Sequence, residues 1–99
     1  MVTMLMAADG TVGGEAIIDE EGHGYLLVDR LPALPSDRTY QLWGEMEGKA
    51  ISLGVLGAQP GMETFTAEGV LTKLMITNEV AGGVVSNGNP EGAFVATVG

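Results

Sequence analysis

Residues 30–43 read RLPALPSDRTYQLW: two Leu-Pro steps, a polar turn and then the only tryptophan of the chain. Leu31 precedes Pro32, and the residue before a proline is pushed away from helical backbone toward extended. Pro35 suits the second position of a type I turn, with Ser36 and Asp37 behind it. The residues that follow alternate as a strand does, with Tyr40, Leu42, Gly44 and Met46 on one side and Thr39, Gln41, Trp43 and Glu45 on the other. The stretch therefore joins two strands, and it is too long for a tight hairpin. It predicts a crossing between two sheets, stiffened by its prolines, with Leu31 and Leu34 plugging the open end of a core.

The same two-residue period extends in both directions. It predicts strands over 2–8, 15–20, 24–31, 39–46, 49–56, 62–67, 70–78 and 93–98, separated by turns such as Asp9-Gly10, Glu47-Gly48 and Gln59-Pro60-Gly61. Tyr25-Leu26-Leu27-Val28 is apolar on both faces, as in a strand covered on both sides. Ile51, Leu53 and Val55 alternate onto one face, as do Val70, Leu74 and Ile76; Phe65 points inward, and Phe94 and Val98 share one side with Val95 on the other. No stretch keeps a helical period over three turns. Strands at this spacing predict an all-β fold, an antiparallel β-sandwich, immunoglobulin-like or a related Greek key, of seven to eight strands. The whole of 1–99 reads as one domain. Because the sequence begins inside a strand, it reads as a fragment of a longer chain.

Trp43 sits mid-strand beside Leu42, which favours a buried anchor over an exposed stacking platform. A buried indole needs a partner for its N–H. Gln41, two positions away on the same side, suits either that role or the binding of a passing loop.

Composition narrows function. A net charge of −9 repels nucleic acid and anionic lipid, so no nucleic-acid role is expected. With no cysteine, disulfides, thiolate metal sites and thiol nucleophiles are excluded. The start, MVTMLMAADG, lacks the basic flank and long apolar segment of a signal peptide. A hydrolytic triad needs a rigidly held base, and the single histidine, His23, lies between two glycines in a predicted turn. Ser36, Ser52 and Ser86 lack a nucleophile-elbow context. The acids near Asp9, Glu15 and Asp19 lack calcium-loop spacing. The glycines around Gly82 and Gly88 precede neither a Lys-Ser/Thr pair nor a helix, so they suit turns better than phosphate. No catalytic, cofactor-binding or metal-binding residue is expected, nor an enzyme.

The quoted segment also carries a resemblance. Leu31-Pro32, Leu34-Pro35, a polar turn and Tyr40-Gln41-Leu42-Trp43 resemble the extracytoplasmic C-terminal domain of the anti-sigma-K factor family. Ile51-Ser52-Leu53-Gly54-Val55 is similar to that family's segment after the hairpin. Ile76-Thr77-Asn78-Glu79 with Ala81-Gly82-Gly83 is similar to its threonine–glutamate–glycine run, and Pro90 with Phe94 to Gly99 to its closing proline and last strand. The likeness spans about residue 24 to the end. Val80 stands where the family often has proline, and Glu91 where threonine is frequent, so the late loop departs from the pattern.

The resemblance implies a layout. A cytoplasmic segment binds a sigma factor, one membrane helix follows, and a domain like this one lies on the outer face of the membrane. It implies a non-catalytic sensory role without a cofactor, gating regulated proteolysis and hence sigma-factor release. The sigma factor would be met only through an N-terminal segment outside these residues; the partners of this domain would be a signal or a protease, with a homo-oligomer left open. The rivals are a carbohydrate- or peptide-binding module built on Trp43 and a tyrosine, and a calcium-dependent adhesion domain.

Overall fold

Eight strands form along the chain: β1 (Val2–Met6), β2 (Val12–Ile18), β3 (His23–Leu27), β4 (Arg38–Met46), β5 (Lys49–Gly57), β6 (Met62–Thr66), β7 (Leu71–Val80) and β8 (Phe94–Thr97). The computed structural model describes residues 1–85 and 88–98; Ser86, the Asn87 of the late turn and Gly99 lie outside the described residues. Every pairing is antiparallel, in the order β5-β4-β7-β8-β1-β2-β3-β6. Two four-stranded halves meet where Met6 of β1 pairs with Val95 of β8. One sheet thus curls into a nearly closed barrel, with β5 and β6 at its free edges.

The all-β antiparallel class is as expected. A two-layer sandwich with immunoglobulin-like order is not confirmed. That order sets the second strand beside one distant in sequence, whereas here β2 pairs with its neighbours β1 and β3. The 30–43 segment does cross from one half to the other, leaving β3 and entering β4.

The core forms inside the curl. Leu5, Ala16, Leu26, Leu42, Leu74 and Ile76 are fully buried there, each from the inward face of its strand. Each large aliphatic side chain so placed contributes on the order of 1.5–3 kcal/mol. Leu31 is buried at the mouth of this core and Leu34 packs against it, so the predicted plug is present.

Alternation fails at identifiable places. In β3, Tyr25 and Leu27 are exposed while Leu26 is buried, so that strand is covered on one face only. In β5, Val55 pairs with Gln41 and Ser52 with Trp43, and register shifts insert Leu56 and Leu53 as extra residues. These bulges turn Leu53 and Leu56 onto the core and leave Ile51 and Val55 exposed, so the expected shared face does not exist. In β7, a shift at Thr72 turns Leu71 inward and leaves Val70 outside the core. Finally, the Arg38 N–H donates to the Pro35 carbonyl at 3.0 Å, which makes Pro35 the first residue of its turn rather than the second.

Candidate functional site

β4 presents two different faces. Tyr40, Leu42 and Met46 point into the curl; Thr39, Gln41 and Trp43 point outward, and yet all three are buried. Trp43 is 1% exposed but does not belong to the hydrophobic core. It is buried, as expected, on the opposite side of the sheet from the expected interior. The cover is the glycine-rich connection between β7 and β8, with Gly88 lying against the indole.

Three strands supply the floor beneath this loop. β4 gives Gln41 and Trp43, β5 gives Ser52 and Val55, and β7 gives Thr77 and Glu79. Cross-strand pairing sets Gln41 between Val55 and Thr77, and Trp43 between Ser52 and Met75. The indole Nε1–H donates to Thr77 Oγ1 at 2.9 Å. Gln41 is therefore free for the loop. Its amide Nε2 donates to Ser52 Oγ at 2.7 Å and to the Val84 carbonyl at 2.8 Å, while its Oε1 accepts the Val84 N–H at 2.9 Å. A single side chain thus mimics a strand partner for one loop residue.

A second anchor closes the far end of the loop. The buried Glu79 carboxylate accepts the Asn89 N–H at 2.7 Å, and the Asn89 side-chain amide donates to the Asn78 carbonyl at 3.2 Å. Arg38 braces Asn78 through its Oδ1 and its carbonyl, both at 2.9 Å. Among the described residues, every fully buried side-chain nitrogen or oxygen has a partner. That matters because an unpaired buried polar group costs about 1–3 kcal/mol.

Loop geometry depends on glycine. The Gly83 N–H closes a turn onto the Val80 carbonyl at 2.9 Å, with φ of +93° at Gly82 and +78° at Gly83. A Cβ on Gly83 would lie 2.7 Å from the Val55 side chain and 2.9 Å from Gln41 Oε1. Backbone conformation and close approach both require glycine there.

The 30–37 segment forms a separate clasp. Tyr40 leads out of the core and its hydroxyl donates to the Pro32 carbonyl. The Leu34 N–H donates to the Ala58 carbonyl at 3.0 Å, tying the crossing to the β5–β6 connection. Burial raises the Tyr40 phenol above its ordinary range.

The residues singled out in the sequence thus divide between two assemblies. Leu31, Pro32, Leu34, Pro35 and Tyr40 belong to the clasp, with Leu42 in the core beneath it; Leu53 packs toward the other end of that core, beside Gly44 and Met46, and Gly54 lies opposite Leu42 in the bulged part of β5. Gln41, Trp43, Thr77, Glu79, Gly82 and Gly83 belong to the latched loop, and Pro90 to its far end, where its carbonyl accepts the Ala93 N–H. Sequence reasoning did not single out Thr39, Asn78, Val84 or Asn89. The available signal was the run of polar residues alternating beside a tryptophan on β4 and β7.

The remaining candidates lie apart from these assemblies. His23 begins β3, exposed, with its ring 3.3 Å from the Asp19 carboxylate. That carboxylate accepts the His23 and Glu21 backbone N–H groups, and the His23 bond chiefly holds it below the usual range. Asp9 is lowered in the same way by the Thr11 N–H. Both acids are engaged in local turns. With the loop seated, Trp43 offers no ring face to a ligand from solvent, which removes the stacking platform expected of a sugar- or peptide-binding module.

Comparison with known proteins gives one positive finding. The family model described as "Anti-sigma-K factor rskA, C-terminal" matches residues 1–94, beginning well ahead of the motifs that start near residue 24. No curated protein and no solved structure matches.

Proposed function

Because the chain belongs to the family of anti-sigma-K factor C-terminal domains, we propose that it is the non-catalytic, extracytoplasmic sensory domain of a membrane-anchored anti-sigma factor, gating the proteolysis that releases the sigma factor. Family membership implies a sigma-factor partner for the whole protein. That partner binds through a segment outside these residues, and the domain itself meets a signal or a protease.

The observation that carries the gating role is the latched loop. In its described parts, 81–85 and 88–93, the loop is tied by the side chains of Gln41, Glu79 and Asn89, and those residues belong to no strand. Segments held this way open at lower free energy than core strands. Opening uncovers an extended, protease-accessible stretch and the indole beneath it. A ligand that binds the open form better shifts the population toward it. Paired strands elsewhere resist cleavage, so the loop sets the rate of the first cut.

Limited proteolysis with mapping of the first cleavage site tests this. The native domain is cut many times more slowly than the urea-denatured chain, and first within 81–93. Equal rates for the two forms, or a first cut in a core strand, refute gating by this loop.

A further inference from the structure

The sheet stops short of closure. β5 and β6 form its two free edges, and although consecutive they do not pair. Their connection is drawn aside: the Ala58 carbonyl accepts the Leu34 N–H, and the Gly61 carbonyl accepts the Val28 N–H at 2.8 Å. The strands diverge from there, leaving an open cleft of about 540 Å³ bordered by Lys49–Leu53 on one side and Thr66–Gly69 on the other.

Natural sheets blunt their edges with short strands, bulges and charges. β6 is short, and the second half of β5 is bulged at Leu53 and Leu56. The first half carries one such charge, Lys49, but no bulge: Lys49, Ala50, Ile51 and Ser52 pair in unbroken register with Met46, Glu45, Gly44 and Trp43. This straight edge is the one that faces the cleft. Its outward N–H and C=O groups call for backbone donors and acceptors in return, which an extended peptide supplies and a sugar or lipid does not. Met46 and Leu53, partly buried at the end of the core, form an apolar floor beneath it. Glu47 and Glu68 stand at the cleft against a single cation, Lys49, in a chain of net charge −9.

We propose that this edge binds an extended, basic peptide segment of about five residues, added to β5 as a ninth strand. Alternate side chains of the peptide cover Met46 and Leu53, and its cationic residues meet Glu47 and Glu68. The site shares Ser52 with the floor of the latched loop but takes no residue from the loop itself, and it stands whether or not that loop gates proteolysis.

The probe is an acetylated, amidated pentapeptide alternating lysine and valine, titrated to millimolar concentration against the isotope-labelled domain. NMR shifts are expected to cluster at 49–53 and 66–69, and the amides of Lys49–Leu53 not bonded to β4 are expected to gain at least tenfold hydrogen-exchange protection. A backbone N-methylated version, unable to pair, should bind at least tenfold more weakly, as should an alternating glutamate–valine peptide. The double variant Glu47→Gln/Glu68→Gln should weaken the lysine peptide severalfold without changing the melting temperature. No protection at 49–53, equal binding of the N-methylated peptide, or shifts centred on the exposed face around Tyr25 would each overturn the proposal.

Discussion

Replacing Gln41 by leucine tests whether the β7–β8 loop opens as a unit. Leucine keeps the bulk of the side chain beside Val55 but removes both bonds to Val84, at 2.8 and 2.9 Å. Each such bond contributes about 0.5–1.5 kcal/mol net, so the closed loop loses about 1–3 kcal/mol. That corresponds to an opening constant raised about 5- to 150-fold. The Val84 amide is a poor reporter, because the substitution frees it directly. The informative groups are the Trp43 indole N–H, bonded to Thr77 beneath the loop, and the Asn89 N–H, bonded to Glu79 at its far end. If the loop lifts as one piece, both exchange faster by the same factor, at rates that sub-denaturing urea hardly changes. Unchanged exchange at both groups refutes the latch. Exchange at these groups that rises with urea as steeply as that of the core strands refutes local opening.

Gly83→Ala attacks the same latch by sterics and by its positive φ; it costs more than about 1 kcal/mol and raises iodide quenching of the Trp43 fluorescence, and unchanged quenching would show that the loop tolerates a Cβ there. Thr77→Val leaves the buried indole N–H without an acceptor and destabilises by about 1–3 kcal/mol in urea unfolding, while Thr77→Ser restores most of the loss. Tyr40→Phe removes the bond to the Pro32 carbonyl and costs about 1 kcal/mol at neutral pH. Its pH dependence follows from burial, which raises the Tyr40 phenol above the usual value near 10. The folded protein holds that proton more tightly than the unfolded chain, so this contribution is complete below about pH 10 and is lost as pH rises through the folded value. Urea titrations between pH 8 and 12 should show a steeper alkaline decline in the wild type than in the phenylalanine variant.

Much of the fold is legible in the sequence because strand alternation is local. The turns at Asp9-Gly10 and Glu47-Gly48, the burial of Phe65 and Leu26, and the crossing at Leu31–Leu34 all follow from residue type and spacing. Bulges are not legible in this way. Leu53, Leu56 and Leu71 reach the core because the chain slips register against β4, and that choice belongs to the partner strand as much as to β5 or β7. The sandwich expectation is not confirmed for a related reason: a single pairing, Met6 with Val95, decides whether two four-stranded halves are separate sheets or one. Trp43 shows the limit for the site. Its burial is readable from mid-strand placement beside Leu42, but the burying surface is not, because the cover comes from a loop whose glycines carry no hydrophobic signal. Gln41 was readable as a partner for a passing loop, and Thr77 takes the indole N–H in its place.

The short last strand has a mechanical consequence. β8 pairs with β7 over four positions and with β1 at one, and it alone bridges the two halves of the sheet. Tension that peels β8 away meets its hydrogen bonds one after another, as a zip does, rather than loading them together in shear. When the Met6–Val95 contact parts, the two halves remain joined by the chain crossings at 28–37, 58–61 and 67–70, by the Thr3–Thr97 bond and by their greasy inner faces. The β1–β8 seam is therefore where the sheet has the fewest backbone bonds to break, and the shared core is what holds the halves together behind it.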